Sequence, residues 1–281
     1  MWLKYKQKPL ELIRFQGCCQ VFGATGFGQE INMTQRRIVI GDVHGHYDTL
    51  MTLLEMIAPT SEDLVYFLGD LIDRGPQSAQ VVDFVMQSSY SCLLGNHEQM
   101  VLDILGHGEI YGPALQAWLS SGGHTTINSY GEQGVRQEHI DWMGTLPTYM
   151  DLGDTWLVHA GIHPQIALEK QTSEQFCWIR NEFHSIEEPY FPDKLIITGH
   201  TITFTLPGVN PGKIAQGRGW LDIDTGAYHP RSGWMTGLDI TNCIVYQVNT
   251  YEPLVRQLTL EEAVVKVEPS KISRRRPMLF S

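Results

Sequence analysis

The sequence lacks any run of about 18 consecutive apolar residues, the length that a helix needs to cross the hydrocarbon core of a membrane. Basic residues are also scarce, because 20 Lys and Arg stand against 31 Asp and Glu and give a formal net charge of −11. Proteins that bind a nucleic-acid backbone usually carry a basic surface. We therefore expect neither a membrane nor a nucleic acid as a partner.

Cysteine is sparse too, and its placement excludes further classes of site. The five cysteines form no C-x-x-C pair and match no zinc-knuckle spacing. A secretory signal is not expected, since Glu11 and Arg14 interrupt the apolar character of the N-terminal segment. We expect a cytoplasmic protein that acts as a monomer.

The first 32 residues differ from the rest of the chain, because they show no hydrophobic period of either 2 or 3.6. We interpret residues 1–32 as an N-terminal extension and expect the true polypeptide to begin at Met33. Residues 33–260 are expected to form one catalytic domain, and residues 261–281 a C-terminal tail.

From Arg36 onward, apolar strands alternate with amphipathic helices. One helix is predicted by the spacing of Leu50, Leu53, Leu54 and Ile57, and Pro59 ends it. The order strand-helix-strand-helix-strand predicts a parallel sheet with right-handed crossovers. A helical insertion follows over 107–134, and further strands are predicted at 155–159, 194–198, 219–224 and 242–248. The fold class is therefore α/β, with two facing mixed β-sheets flanked by helices in an αββα sandwich.

Five of the predicted strands end in a glycine or histidine motif that carries chemically active side chains. The motifs are Gly41-Asp42-Val43-His44, Gly69-Asp70, Gly95-Asn96-His97-Glu98, His159-Ala160-Gly161 and Gly199-His200-Thr201. In open α/β sheets, ligands bind beyond the carboxyl ends of the strands. Packing does not require this set of side chains at successive strand ends, whereas a pair of divalent ions needs mixed oxygen and imidazole ligands with one bridging carboxylate. The sequence therefore predicts a metal centre at this edge.

These motifs, taken in order, resemble the phosphoprotein-phosphatase family of metallophosphoesterases, whose signatures are G-D-x-H-G, G-D-x-x-D-R-G, G-N-H-E, H-A/G-G and a later G-H. The resemblance extends over roughly residues 36–250. It is closest to the compact bacterial and bacteriophage-lambda-type serine/threonine phosphatases, through Trp118 with Gly122-Gly123, Trp178-Ile179-Arg180 and Asp224-Thr225-Gly226.

The resemblance implies the metallo-dependent phosphatase fold and a dinuclear centre. The implied cofactors are two divalent ions, Mn²⁺ first, with iron or zinc as alternatives. The implied metal ligands are Asp42, His44, Asp70, Asn96, His159 and His200, with Asp70 as the bridge. The implied reaction is hydrolysis of phosphate monoesters on proteins by a metal-bridging hydroxide. Serine and threonine are the expected phosphorylated residues, and tyrosine is a further option.

The same resemblance assigns four more residues. Arg74 and Arg180 would bind the phosphate oxygens of a phosphoprotein or phosphopeptide substrate. His97 would protonate the leaving oxygen as the catalytic acid, and Asp73 would orient its imidazole and favour the protonated form.

Three alternatives stay open. A symmetrical diadenosine-tetraphosphate hydrolase shares the metal cage, but its pattern lacks an acidic residue at the position of Asp73 and has Asp at that of Glu98. Gly75-Pro76-Gln77-Ser78 fits that hydrolase as well as it fits a phosphatase. A broad phosphomonoesterase is the second alternative. The third is a non-catalytic binding module, which the complete ligand set disfavours.

Overall fold

The structure, a computed structural model, describes residues 35–105 and 112–272. The predicted N-terminal extension lies outside these residues, as does the basic run Arg274-Arg275-Arg276. Within the described residues, no helix combines the length and the apolar character that a membrane crossing demands.

The strands of the described ranges form two six-stranded sheets. In chain order they are β1 (Arg37–Ile40), β2 (Leu64–Phe67), β3 (Ser91–Cys92), β4 (Tyr149–Asp151), β5 (Thr155–Val158), β6 (Leu195–Thr198), β7 (Ile214–Gln216), β8 (Trp220–Asp222), β9 (Trp234–Asp239), β10 (Ile244–Asn249), β11 (Val255–Thr259) and β12 (Val264–Lys266). The first sheet has the order β11-β10-β9-β1-β2-β3 and the second the order β12-β7-β8-β6-β5-β4. Strands β1, β2 and β3 are parallel, which confirms the predicted strand-helix-strand repeat.

Helices cover the outer face of each sheet. They are α1 (Tyr47–Ile57), α2 (Ser78–Gln87), α3 (Asn96–Leu105), α4 (Gly112–Trp118), α5 (His124–Tyr130), α6 (Gln137–Met143), α7 (Ser173–Trp178), α8 (Asn181–His184), α9 (Leu260–Ala263) and α10 (Pro269–Ile272). Helices α1, α2, α3 and α6 pack on the first sheet, and α7, α8 and α10 on the second. The predicted α/β sandwich is confirmed.

Alternation along β1 shows why the sheets stack in this way. Val39 belongs to the apolar layer between the two sheets, whereas Ile38 and Ile40 pack with the helices on the other face. All three side chains are fully buried, so β1 is covered on both sides. A continuous apolar run is the sequence pattern of such a strand.

The packed domain extends beyond residue 260, where the sequence predicts that a C-terminal tail begins. Strand β12 pairs in parallel with β7 and forms one edge of the second sheet. Val267 and Ile272 are buried in the apolar cluster of that sheet. Residues 261–272 therefore belong to the folded domain, because their apolar side chains cover the second sheet.

Candidate metal centre

The carboxyl ends of β1, β2, β3, β5 and β6 bring the predicted site residues together. Among the residues that the structure describes, metal-capable groups form two clusters, in each of which the ligand atoms lie within 4.8 Å of one another. The first contains His44, Asp70 and His97, and the second contains Asp70, His159 and His200. All five residues are buried. The shared member is Asp70, which the resemblance assigns as the bridge.

Asp70 has the arrangement that a bridging ligand requires. Its Oδ2 lies 3.6 Å from His44 Nε2, while its Oδ1 lies 3.4 Å from His159 Nε2. Each oxygen of the carboxylate therefore faces a different cluster. The backbone of Asp70 has a φ of 52°, a left-handed value that is costly for a residue with a side chain.

Glu98 holds the strained turn that carries Asp70. One of its carboxylate oxygens accepts hydrogen bonds from the backbone N–H of Asp70 at 2.8 Å and of Gly95 at 3.0 Å. The other accepts from Leu71 N–H at 2.8 Å. Glu98 is fully buried, so this one side chain ties the ends of β2 and β3 together beneath the metal centre. The sequence contains the motif Gly95-Asn96-His97-Glu98, but nothing in it indicated this role of Glu98.

The histidine tautomers indicate that a cation belongs between these groups. His159 Nδ1 lies 2.8 Å from Leu68 O, and a carbonyl can only accept, so Nδ1 carries the proton. In the neutral ring, Nε2 is then an acceptor, yet it lies 2.9 Å from Asn96 Oδ1. His200 Nδ1 lies 2.7 Å from the same oxygen. His159 Nε2 and Asn96 Oδ1, two acceptors that face each other at such a distance, fit one edge of a metal coordination sphere.

His44 repeats this pattern at the first cluster. Its Nδ1 lies 2.9 Å from Ile72 O, which leaves Nε2 as an acceptor that faces Asp70. Burial, assisted by the charge of Arg74, holds the pKa of His44 well below its usual range. Burial also lowers the pKa of His159. Both rings are therefore neutral near pH 7, which is the form that binds a metal.

Asp42 lies beside the first cluster but is not one of its closest members. Its Oδ2 is 3.9 Å from His44 Nε2 and accepts a hydrogen bond from His200 N–H at 3.1 Å. Burial, together with the charges of Asp224 and Asp70, raises the pKa of Asp42 well above its usual range. A divalent cation would relieve this repulsion between buried carboxylates.

Asp73 and His97 form the pair that the resemblance predicts. Asp73 Oδ2 lies 2.6 Å from His97 Nδ1, and both side chains are buried. His97 Nε2 points toward the metal centre, 3.9 Å from Asp70 Oδ2. Two further residues hold the carboxylate: Trp118 Nε1 donates to it at 2.9 Å and Thr126 Oγ1 at 2.5 Å.

Trp118 and Thr126 belong to the predicted helical insertion, at the end of α4 and within α5. From the sequence, Trp118 is notable only as part of the family resemblance, and nothing signals Thr126, which lies 53 residues from its partner Asp73. Gly123 lets Trp118 reach this position, since a Cβ at residue 123 would lie 2.5 Å from the indole ring. The insertion therefore builds part of the site.

The two predicted phosphate-binding arginines lie on different sides of the centre. Arg74 Nη1 is 3.3 Å from His44 Nε2, and its guanidinium carbon lies 3.9 Å from the centroid of the Tyr228 ring. Arg180 Nη1 donates to His200 O at 3.1 Å and to Thr201 Oγ1 at 3.2 Å. Tyr228, which covers both Arg74 and the edge of His44, had no assigned role in the sequence.

Gly95 should not tolerate even a methyl group. A Cβ there would lie 2.3 Å from both the backbone N and the Oδ1 of Asp70. We expect Gly95→Ala to lower the free energy of unfolding by about 1–3 kcal/mol, the usual cost of overpacking. It should also weaken Mn²⁺ binding, because Asp70 must move. Thermal unfolding and metal titration measure the two effects.

Gly112→Ala is the matched control for this substitution. At Gly112, the first residue of α4, a Cβ meets no described atom within 4 Å. Alanine is also the better helix former, so the stability should be unchanged or slightly higher. If Gly95→Ala were as stable as Gly112→Ala and bound Mn²⁺ normally, the close approach of Gly95 to Asp70 would not matter.

Comparison with known proteins gives one family and several partial relatives. A model of the calcineurin-like phosphoesterase family matches residues 36–210. The chain is 33% identical over 134 residues to a protein of Methylococcus capsulatus named bis(5'-nucleosyl)-tetraphosphatase, symmetrical, which covers 44% of this chain and 42% of the relative. A Coxiella burnetii protein of the same name is 32% identical over 140 residues, 48% of this chain and 45% of that protein. The chain thus spans less than half the length of these curated relatives.

Solved structures agree with the fold. A crystal structure assigned provisionally to a diadenosine tetraphosphatase has a TM-score of 0.53 at 18% identity and covers 81% of this chain and 95% of that one. The cold-active protein-tyrosine phosphatase of a Shewanella species has a TM-score of 0.51 at 19% identity and covers 80% of each chain. At these identities the likeness concerns the fold alone.

Proposed function

The chain belongs to the calcineurin-like phosphoesterase family, and from this premise we propose that it is a dinuclear-metal phosphatase that hydrolyses phosphate monoesters of proteins. Membership makes it a metal-dependent hydrolase of phosphate esters. The number of ions, the role of each residue and the substrate are the parts that we propose. Phosphoserine and phosphothreonine peptides are the proposed substrates, with phosphotyrosine peptides beside them.

The buried pair of Asp73 and His97 is the observation that carries the choice of a monoester. A seryl or threonyl alkoxide is a very poor leaving group, so its departure needs a proton donor. His97 Nε2 faces the metal centre, and Asp73 holds the opposite ring nitrogen at 2.6 Å. An imidazole fixed in this way can deliver a proton to an oxygen bound beside Asp70.

The remaining groups divide the work of binding and charge stabilisation. When bound, two divalent ions would supply a water of lowered pKa as the nucleophile and would neutralise phosphate charge. Asp42, His44 and Asp70 would hold one ion, and Asp70, Asn96, His159 and His200 the other. Arg74 and Arg180 would contact the non-bridging phosphate oxygens, since a planar guanidinium matches two such oxygens at once.

Symmetrical hydrolysis of dinucleoside tetraphosphates is the second candidate, and the named relatives favour it over the first. Both curated relatives described above carry that name. The leaving group in that reaction is a nucleoside diphosphate, which departs readily without a proton. The pair of Asp73 and His97 would then have little catalytic purpose.

A substrate panel separates the two candidates. The enzyme, reconstituted with Mn²⁺, is assayed for kcat/KM on phosphoserine, phosphothreonine and phosphotyrosine peptides and on diadenosine tetraphosphate. We expect the best phosphopeptide to exceed the dinucleotide by about 10-fold or more, which corresponds to about 1.4 kcal/mol of transition-state binding. The reverse order, with ADP as the single product, would establish the second candidate instead.

A further inference from the structure

A second buried histidine-carboxylate pair lies outside the metal centre. His184, the last residue of α8, and Asp222, the last residue of β8, are almost completely buried. His184 Nε2 lies 3.0 Å from Asp222 Oδ2. The roles assigned above do not use either side chain.

The other nitrogen of His184 leads directly to a substrate-binding residue. His184 Nδ1 lies 2.9 Å from the carbonyl oxygen of Arg180. Because a carbonyl only accepts, Nδ1 must carry a proton. A single further proton is then shared between Nε2 and Asp222 Oδ2, whichever of the two atoms holds it. The chain of contacts therefore runs from Asp222 through the ring to the backbone of Arg180.

Arg180 stands directly before α8, outside the regular helix. Helix α8 has only four residues and cannot by itself fix the chain that enters it. The carbonyl oxygen of Arg180 accepts hydrogen bonds from the backbone N–H of His184 at 3.0 Å and from its ring Nδ1 at 2.9 Å. His184 therefore holds this carbonyl with two donors.

The far end of the chain of contacts is anchored in the second sheet. Asp222 Oδ1 accepts a hydrogen bond from Asp224 N–H at 3.1 Å, while β8 lies between β6 and β7. Strand β6 leads into His200, whose carbonyl accepts from the Arg180 guanidinium. The backbone of Arg180, through His184 and Asp222, and its side chain, through His200, are thus both anchored to the second sheet.

We propose that His184 and Asp222 are positioning residues that fix Arg180 for binding of the phosphate group. This proposal rests on the proposed function, in which Arg180 contacts the phosphate oxygens. Burial supports an uncharged pair, since it lowers the pKa of His184 to about 4 and raises that of Asp222 well above its usual value. In that form Asp222 donates to Nε2, and Nδ1 donates to Arg180.

The test measures binding of inorganic phosphate to the Mn²⁺-loaded enzyme by calorimetry, beside KM and kcat for para-nitrophenyl phosphate. His184→Phe keeps a ring but loses both hydrogen bonds. We expect it to weaken phosphate binding and to raise KM by about 10-fold, with a smaller change in kcat, as for loss of one charged hydrogen bond. Asp222→Leu should behave alike. Asp222→Asn should do less harm, because its amide can still donate to Nε2.

A double mutant shows whether the effect passes through Arg180. Arg180→Ala with His184→Phe should bind phosphate no more weakly than Arg180→Ala alone, because the residue being positioned is gone. Additive losses would overturn the proposal, as would normal phosphate binding in His184→Phe when Arg180→Ala binds weakly. Should His184→Phe not fold, His184→Gln takes its place in the same comparison.

His139 provides the matched control, because it is another fully buried histidine with a carboxylate partner. Its Nε2 lies 3.0 Å from Asp83 Oδ1, and its Nδ1 lies 2.6 Å from the Tyr130 hydroxyl. His139→Phe should lower the melting temperature and leave phosphate affinity unchanged. Equal loss of affinity in His139→Phe and His184→Phe would indicate a general structural effect and overturn the proposal.

These outcomes also separate the proposal from the function on which it rests. Normal phosphate binding in Arg180→Ala would remove Arg180 from the phosphate site and overturn the positioning role with it. If the wild-type enzyme bound phosphate but hydrolysed none of the esters, the proposed function would fail. The comparison of phosphate affinities would still decide the role of His184 and Asp222.

Discussion

Exhaustive chelation is expected to abolish hydrolysis of every phosphate ester, a loss of about 10³-fold or more, and Mn²⁺ should restore it. The physical reason lies in the acceptors that face one another without a proton between them. His159 Nε2 lies 2.9 Å from Asn96 Oδ1 and 3.4 Å from Asp70 Oδ1. Without a cation, no group would lower the pKa of the attacking water, and Arg74 and Arg180 alone would have to balance the phosphate charge. Metal content and turnover are measured on the same samples.

The ligand types also predict which ions restore activity. Carboxylate, amide and imidazole ligands together suit manganese, iron or zinc, whereas magnesium prefers oxygen ligands alone. We therefore expect Mn²⁺ to reactivate the chelated enzyme more than Mg²⁺ does. Zn²⁺ and Fe²⁺, tested separately, should also reactivate it.

Asp70→Asn is the mutational counterpart of chelation. The substitution removes the negative charge of the one carboxylate that belongs to both clusters. It should therefore reduce turnover of phosphopeptides and of para-nitrophenyl phosphate by similar factors. The variant should bind less Mn²⁺ than the wild-type enzyme. Full turnover by a chelated sample whose metal content is verified as nil would contradict the dinuclear mechanism.

Local patterns predicted the first half of the fold well. The spacing of Leu50, Leu53, Leu54 and Ile57 gave α1, and all four side chains are buried in the structure. A helix between two apolar strands leaves few topologies, because the crossover must be right-handed. The parallel arrangement of β1, β2 and β3 follows from that constraint.

Strand β9 shows where such patterns fail. It pairs antiparallel with β1 and β10 in the middle of the first sheet, yet the sequence did not predict it. Gly237 interrupts its apolar run, and glycine normally disfavours a strand. In the structure a Cβ at residue 237 would lie 2.8 Å from Ile57 Cδ1, so glycine allows α1 to pack closely. That requirement depends on a helix 180 residues earlier and leaves no local signal.

The residues of the site likewise fall into those that the sequence could place and those that it could not. Each residue at a strand end could be placed from the sequence, because the ends of parallel strands meet at one edge of a sheet. The residues that support them could not. Glu98, Thr126 and His184 act through partners on other elements, and their roles emerge only when those elements pack together.

His97→Asn is expected to affect substrates according to their leaving groups. The carboxylate of Asp73 accepts from Trp118 and Thr126, so it acts as an acceptor toward His97 Nδ1 as well. In the doubly protonated ring, Nε2, which faces the metal centre, would then be the proton donor. Its loss should lower kcat on a phosphoserine peptide by roughly 10²- to 10⁴-fold, the usual scale for a general acid. The loss on para-nitrophenyl phosphate should be visibly smaller, since that phenolate leaves without a proton.

Asp73→Asn completes the comparison, because the two residues should act as one unit. It should show the same dependence on the leaving group, and the double mutant should be little worse than His97→Asn alone. The backbone N–H of His97 donates to Asp70 Oδ1 at 3.0 Å, and this contact should survive the substitution. We therefore expect each variant to retain its metal, and metal content is measured to check this. Equal losses on the two substrates, with metal still bound, would mean that His97 positions the phosphate or the nucleophile. The proton donor would then have to be another group at the centre.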